Sequence, residues 1–276
     1  MNINPFAKHL AQLTCALGLA FGIQSAHAAP DWQINPEGLG AGGATTVSAA
    51  NVGGVGFVQV VPSPTNPGAF TFIEHGAYQL LQTGSTNPFG TRDITVTYEV
   101  SGSGNWFNPG ALHFSSGSIK LFSDINFDFG SANGTYGADN GKAIGSFSVF
   151  DGGLLNGGLV NVQAQLDAGS LLPGYLFDAD GNDMTKAGKV LLQLGIYNQT
   201  TNPDALLVSE IICGMAGYGG AGCDGTAFIN SPQAYAVSDG GSVTLSAVPE
   251  PASIALLGIA LGAIPVSTRR RSKKAA

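Results

Sequence analysis

The chain has 276 residues and a formal net charge of −7, with 11% charged residues, 44% hydrophobic residues and 41 glycines. That balance excludes nucleic-acid binding by phosphate neutralisation and excludes a disordered body. Few charges among many Gly, Ser, Thr and Asn also exclude the charged faces of an amphipathic-helix protein and leave a turn-rich β protein.

At the N-terminus, Lys8 precedes an apolar stretch from Leu10 to Ile23 and then Ala26-His27-Ala28. This is the pattern of a secretory signal with a small-x-small cleavage site, cut between Ala28 and Ala29. Cys15 lies inside the removed segment. Gln12-Leu13-Thr14 before it are not the small residues that a lipoprotein box needs.

Residues 29–55 are rich in Gly, Ala, Thr and Asn, with Trp32 and Ile34 as the large early anchors, and read as a loop or edge strand. Phe57–Val61 reads as a strand that stops at the turn-forming cluster Pro62–Gly68. Phe70–Glu74 and Tyr78–Gln82 read as two short strands around Gly76. Ile94, Val96, Tyr98 and Val100 alternate with Thr95, Thr97 and Glu99, the clearest half-buried strand of the chain. Ile119–Phe122 comes next, and Asp124–Phe129 alternates again. Strands are also predicted around Phe147 and Val149 and over Val160–Leu166. Val190–Tyr197 and Leu206–Ile212 are the most apolar runs and read as central strands. Ala234–Val237 and Val243–Leu245 complete the set. Apart from the two ends, no stretch sustains a 3.6-residue period. The expected fold is all-β, a single Gly-rich β-sandwich or jelly-roll-like domain over residues 29–247, flanked by an N-terminal signal helix (1–28) and a C-terminal hydrophobic helix within 248–276.

Cys213 and Cys223 close a glycine-rich loop in a chain expected to be exported, so a disulfide is predicted. A zinc site is the alternative, but no histidine lies nearby. The body has two histidines, His75 and His113. Neither Gly-x-Ser-x-Gly nor His-Glu-x-x-His occurs, so no catalytic residue is assigned. Asp124 and Asp128 share one face of the Asp124–Phe129 alternation, with Asn126 between them and Ile125, Phe127 and Phe129 opposite. That face is either solvated or in contact with sugar or calcium, and paired carboxylates are what a polysaccharide hydrolase would use. Asp178-Ala-Asp180-Gly181-Asn182-Asp183 places closely spaced oxygens around a glycine, which suits a hard cation such as calcium. The other reading is an Asx turn. The loop is not an EF-hand, because the glycine is fourth and the twelfth position is Lys189. Asp178, Asp180, Asn182 and Asp183 are the candidate ligands of a structural calcium ion, and no other cofactor is expected.

The last stretch runs Val248, Pro249-Glu250-Pro251, an apolar segment from Ala252 to Val266, and Arg269, Arg270, Arg271, Lys273 and Lys274. The two prolines hold the glutamate extended and accessible. The apolar segment prefers lipid, and the basic cluster resists crossing the membrane. About fifteen apolar residues are fewer than the ~20 of a comfortable span, which favours a processed signal over a permanent anchor. Lys8 and the five tail residues are six of eleven basic residues, and Glu250 is one of eighteen acidic ones. Removal of both ends therefore leaves five basic against seventeen acidic residues, a net charge near −12.

This tripartite tail resembles the PEP-CTERM sorting signal of exported bacterial proteins. The resemblance implies that a membrane-embedded exosortase recognises Pro249, Glu250 and Pro251 and removes the tail after transient insertion of 252–266 in the inner membrane. The body is similar to PEP-CTERM proteins associated with flocculation through Trp32-Gln-Ile-Asn-Pro36, Gly117–Asp124 and its Gly-rich β pattern. Together these resemblances imply an exported, non-catalytic protein of the cell surface or extracellular matrix that supports exopolysaccharide-linked aggregation. The alternatives are a secreted polysaccharide-binding module and a polysaccharide hydrolase. The expected partners are an exosortase-type enzyme and extracellular polysaccharide, with no nucleic acid.

Overall fold

Strands dominate the computed structural model, which describes residues 32–40, 43, 45–47, 50–132, 134–155 and 158–248. Eight of them close into an antiparallel barrel: β3 (Ala50–Pro62), β4 (Ala69–Leu81), β5 (Asp93–Asn105), β6 (His113–Asp124), β7 (Lys142–Leu154), β8 (Val160–Leu166), β10 (Lys189–Thr200) and β11 (Ala234–Val248). β11 pairs with β10 on one side and β3 on the other, which seals the sheet. A small sheet of β2 (Thr45–Val47), β1 (Trp32–Ile34) and β9 (Leu176–Phe177) accompanies it.

The all-β class stands, but the architecture is a barrel and not the expected sandwich or jelly-roll. Alternation in sequence records that one face is buried. It does not record whether that face meets a second sheet or its own far side. Here closure comes from long strands of up to 15 residues and from the last strand returning to the first of the barrel.

Inward positions are filled by side chains, as an eight-stranded barrel requires. Ile94, Val96, Tyr98 and Val100 point in from β5, as the alternation predicts, and meet Ile119, Leu121, Leu192 and Leu194. The β3–β4 side is lined partly by glycine, which makes room for large rings. A Cβ at Gly56 or Gly76 would strike the Tyr98 phenol, so this ring fits because both positions are glycine. Gly76 therefore does not separate two short strands. It lies within one continuous strand, β4, paired to β3 and β5 along its length. Ala234–Val237 and Val243–Leu245 likewise join into the single strand β11.

Trp32 and Ile34 are fully buried and plug one barrel end among Leu80, Leu192 and Leu245. The chain thus enters through β1 and leaves through Val248 at this plugged end, where Val248 pairs with Lys189 at the start of β10.

The run Leu206–Ile212 is not a strand. From Leu207 it belongs to a π-helix, Leu207–Met215, and ahead of the helix Asp204 Oδ1 accepts a hydrogen bond from the Leu207 amide at 2.7 Å. Its apolar residues sit on one helical face, so Leu207, Ile211 and Ile212 bury against Phe57, Ala77, Ala234 and Ala236 on the outer barrel wall. Each such side chain contributes about 1.5–3 kcal/mol on full burial. β3, β4 and β11 are consequently covered on both faces. Among the described residues no helix is long and apolar enough to cross a membrane. The signal segment 1–28, Ala26, Ala28 and Ala29, the apolar segment 252–266, Pro249, Glu250 and Pro251, and the basic residues Arg269, Arg270, Arg271, Lys273 and Lys274 all lie outside the described residues.

Candidate functional site

Two features of the barrel combine unusual chemistry with a defined position. The first is a buried acid pair in its centre. Glu74 on β4 occupies the same inward row as Phe72 and Tyr78, and Asp239 on β11 the same row as Val237 and Val243. The hydroxyl of Tyr98 lies 2.9 Å from Glu74 Oε1 and 3.0 Å from Asp239 Oδ2. Tyr78 stacks on Tyr98 with ring centroids 4.5 Å apart.

A phenol has one proton, so Tyr98 can donate to only one of the two carboxyl groups. The other must bring its own proton and donate to the phenol oxygen. Burial, then the nearby Asp239, push Glu74 up to about 8, while the Tyr98 hydrogen bond works in the opposite sense. Burial pushes Asp239 up to about 6, against the Tyr98 hydrogen bond. Glu74 is therefore the group that keeps its proton at neutral pH. It donates to Tyr98, which donates to the Asp239 carboxylate. Burial also holds Tyr78 and Tyr98 well above the ordinary phenol range. A cavity of about 20 Å³ beside Glu74 reaches Asn198 and Phe114 and is large enough for one water-sized group. A second one, near Trp32, measures about 10 Å³. These spaces suit proton storage and packing and are too small for a sugar ring.

The second feature is an aromatic series at the barrel end opposite the plug. Trp106 is half exposed and Phe107 is 81% exposed. Trp106 stacks on Phe70 at 4.3 Å, Phe70 approaches Phe72 at 6.5 Å, and Phe72 meets Phe114 edge-on at 5.1 Å. The inner rings close the mouth while the outer ones face solvent. The loop that presents them is fixed by backbone bonds. The Trp106 amide donates to the Gly68 carbonyl at 2.8 Å, and the Phe107 amide donates to Asn105 Oδ1 at 2.8 Å. Gly68 has φ +84° and lies under the Phe107 ring, a position where a Cβ would collide. Asn66, Asn105 and Asn108 flank the rings in sequence.

Cys213 and Cys223 form the predicted disulfide, with Cα atoms 5.5 Å apart. It pins the π-helix to the following loop, and Tyr218 and Phe228 of that loop pack on Phe57 at 5.2 and 5.9 Å. The segment 178–183 is a hydrogen-bonded turn. Asp178 accepts from the Asp180 and Asn182 amides and from Asn182 Nδ2, and Asp183 accepts from the Thr185 amide, the Thr185 hydroxyl and the Gly174 amide. These bonds use the carboxylates locally. Among the described residues, no three His, Cys, Asp or Glu groups are arranged to hold a metal.

Asp124 and Asp128 do not share a strand face. β6 ends at Asp124 and the chain then bends, leaving Ile125 and Phe127 exposed. The alternation there arises in a loop with no partner strand, and of its apolar side only Phe129 packs, edge-on against Tyr136. Asp124 is instead buried opposite Asp93 on β5, and Asp128 accepts from Asn140 Nδ2 at 3.1 Å. His75 and His113 stand apart, beside Glu99 at 3.4 Å and Asp151 at 3.7 Å.

Sequence reasoning does not single out Trp106, Glu74 or Asp239. For Glu74 a signal exists: it is a charged residue in the inward row of an otherwise apolar strand. For Trp106 the only signal is an aromatic pair in an Asn/Gly/Pro-rich loop. No protein-family model, no curated protein and no solved structure matches this chain.

Proposed function

We propose that this is an exported bacterial surface or matrix protein whose barrel binds extracellular polysaccharide without chemistry of its own and so supports cell aggregation. Its tail is sorted by an exosortase-type membrane enzyme through Pro249-Glu250-Pro251 and removed. The observation that carries the binding role is the exposed Trp106–Phe107 pair at the barrel end opposite the one where the chain enters and leaves. A flat indole face covers the apolar C–H face of a pyranose ring, and aromatic anchors of this kind dominate binding energies. Flanking asparagines supply hydrogen bonds to hydroxyls. The body's charge near −12 keeps it soluble outside the cell and favours neutral glycans, or acidic ones bridged by divalent cations.

The test is binding of the protein to exopolysaccharide from its own culture. The Trp106→Ala, Phe107→Ala double variant is expected to bind about 10- to 100-fold more weakly, the scale of losing an aromatic hot spot. Its thermal midpoint should stay near wild type, because Phe107 is exposed and Trp106 half so. Undiminished binding by the variant would remove the basis for this site.

A further inference from the structure

We propose that Asp93 and Asp124 form a binding site for a hard divalent cation, calcium, on the outer barrel wall at the base of the β5–β6 pair. The two residues are direct partners across the antiparallel ladder, so their side chains stand on the same face. Both are buried, at 1% and 5% exposure. Gln79 on β4 donates to Asp93 Oδ2 at 2.8 Å. β4 and β6 flank β5 on opposite sides, so this bond on the β4 side turns Asp93 Oδ1 toward β6 and Asp124. Asp124 Oδ1 accepts from the Asn126 amide at 3.1 Å and from its Nδ2 at 3.4 Å, which leaves Oδ2. Asp93 Oδ1 and Asp124 Oδ2 are both buried without a partner.

Two carboxylates at directly paired positions, both removed from water and each with a free oxygen, are costly to bury unless a cation or a proton compensates them. Among the described residues no Lys or Arg lies within ion-pair distance of either group. The remaining choices are a shared proton or a bound ion. Gln79 and Asn126 each give an amide N–H to the other oxygen of their carboxylate, which fixes both acids and leaves two free, buried carboxylate oxygens as hard donors. Gly141 holds the covering loop close, since a Cβ there would fall 2.8 Å from the Ser123 carbonyl and 2.9 Å from Asp124 Cβ. All these ligands are oxygen, which selects calcium over the softer metals. The site is separate from the 178–183 turn, whose carboxylates are already engaged, and does not depend on the glycan reading.

The experiment is equilibrium calcium binding to the chelator-stripped full-length chain at pH 7.5, in mild detergent, with thermal unfolding as second readout. One saturable calcium ion per chain is expected, with a raised midpoint, and magnesium should bind more weakly. Asp93→Asn and Asp124→Asn should each weaken binding at least 10-fold, while Asp178→Asn leaves it intact. Both Asn variants relieve the repulsion, so they should fold and melt higher than the calcium-free wild type. Absence of saturable binding by the wild type, with the pair instead titrating as one shared proton, would overturn the proposal. Loss of binding in Asp178→Asn but not in the Asp93 and Asp124 variants would overturn it too.

Discussion

Glu74→Gln is expected to make the protein more stable than wild type at pH 8 and to flatten its stability between pH 6 and pH 8. In the folded barrel Glu74 is pushed up to about 8, well above the ordinary glutamate value near 4.5. A folded pKa above the unfolded one means that the folded state holds more protons across this window. Stability then falls as pH rises, and is highest where Glu74 is protonated in both states. A tenfold difference in proton affinity between the two states is worth about 1.4 kcal/mol, so the wild type loses on the order of 2–3 kcal/mol between pH 6 and pH 8 through this residue. Glutamine cannot ionise, yet its amide still donates to the Tyr98 oxygen, so the chain of hydrogen bonds to Asp239 survives. Asp239 itself, raised to about 6, makes stability fall with rising pH only up to about that value, in both proteins. His75 works in the opposite sense, because burial lowers it despite Glu99, so its contribution grows as it loses its proton. The difference between variant and wild type, measured by urea unfolding across pH 5 to 9, isolates Glu74. Parallel curves for the two proteins would contradict a protonated Glu74.

Replacing both Cys213 and Cys223 by serine is expected to cost roughly 2–3 kcal/mol, the chain-entropy value for a loop of this length. The loss should be felt locally as well. The disulfide ties the C-terminal part of the π-helix to the loop that packs Tyr218 and Phe228 on Phe57. Without it, that layer can open and expose Ala77, Ala234 and Ala236. Amide exchange in 207–218 should accelerate about 30- to 150-fold, the exchange equivalent of 2–3 kcal/mol, while interior residues such as Val96 and Leu192 keep their protection relative to global unfolding. Equal acceleration throughout the barrel would show that the disulfide serves the whole fold instead.

The sequence reveals those elements whose local pattern matches their burial. Ile94–Val100 and Val160–Leu166 alternate because one face meets the barrel interior, and the strands lie where the alternation places them. The π-helix is hidden because Leu206–Ile212 is short and strongly apolar, and length is what separates a buried strand from a buried helix turn. Asp204 after Asn202-Pro203, whose side chain accepts from the Leu207 amide, is the available sign. Asp124–Phe129 shows the opposite error: a period of two without a partner strand. Barrel closure is out of reach, since it depends on the pairing of β11 with β3, residues 175 to 193 positions apart. The disulfide is readable from spacing and composition. The acid pair is only half readable: Glu74 sits visibly in an apolar row, but Asp239, which it meets through Tyr98, is 141 residues from Tyr98.

These features are compatible with the proposed matrix role. A closed barrel leaves no free edge of its own for unwanted pairing, and the disulfide holds the π-helical layer in place. An acid pair keeps its best packing at mildly acidic pH. The exposed rings Trp106 and Phe107 stand at the barrel end opposite Trp32 and Val248.

Intact-mass analysis of the protein released into the culture medium decides between a sorted, processed protein and a retained one. The expected species begins at Ala29, carries the Cys213–Cys223 bond and lacks Arg269–Lys274. A released species that still contains Arg269–Lys274, or full-length protein retained with the cells, would contradict export and processing through Pro249-Glu250-Pro251.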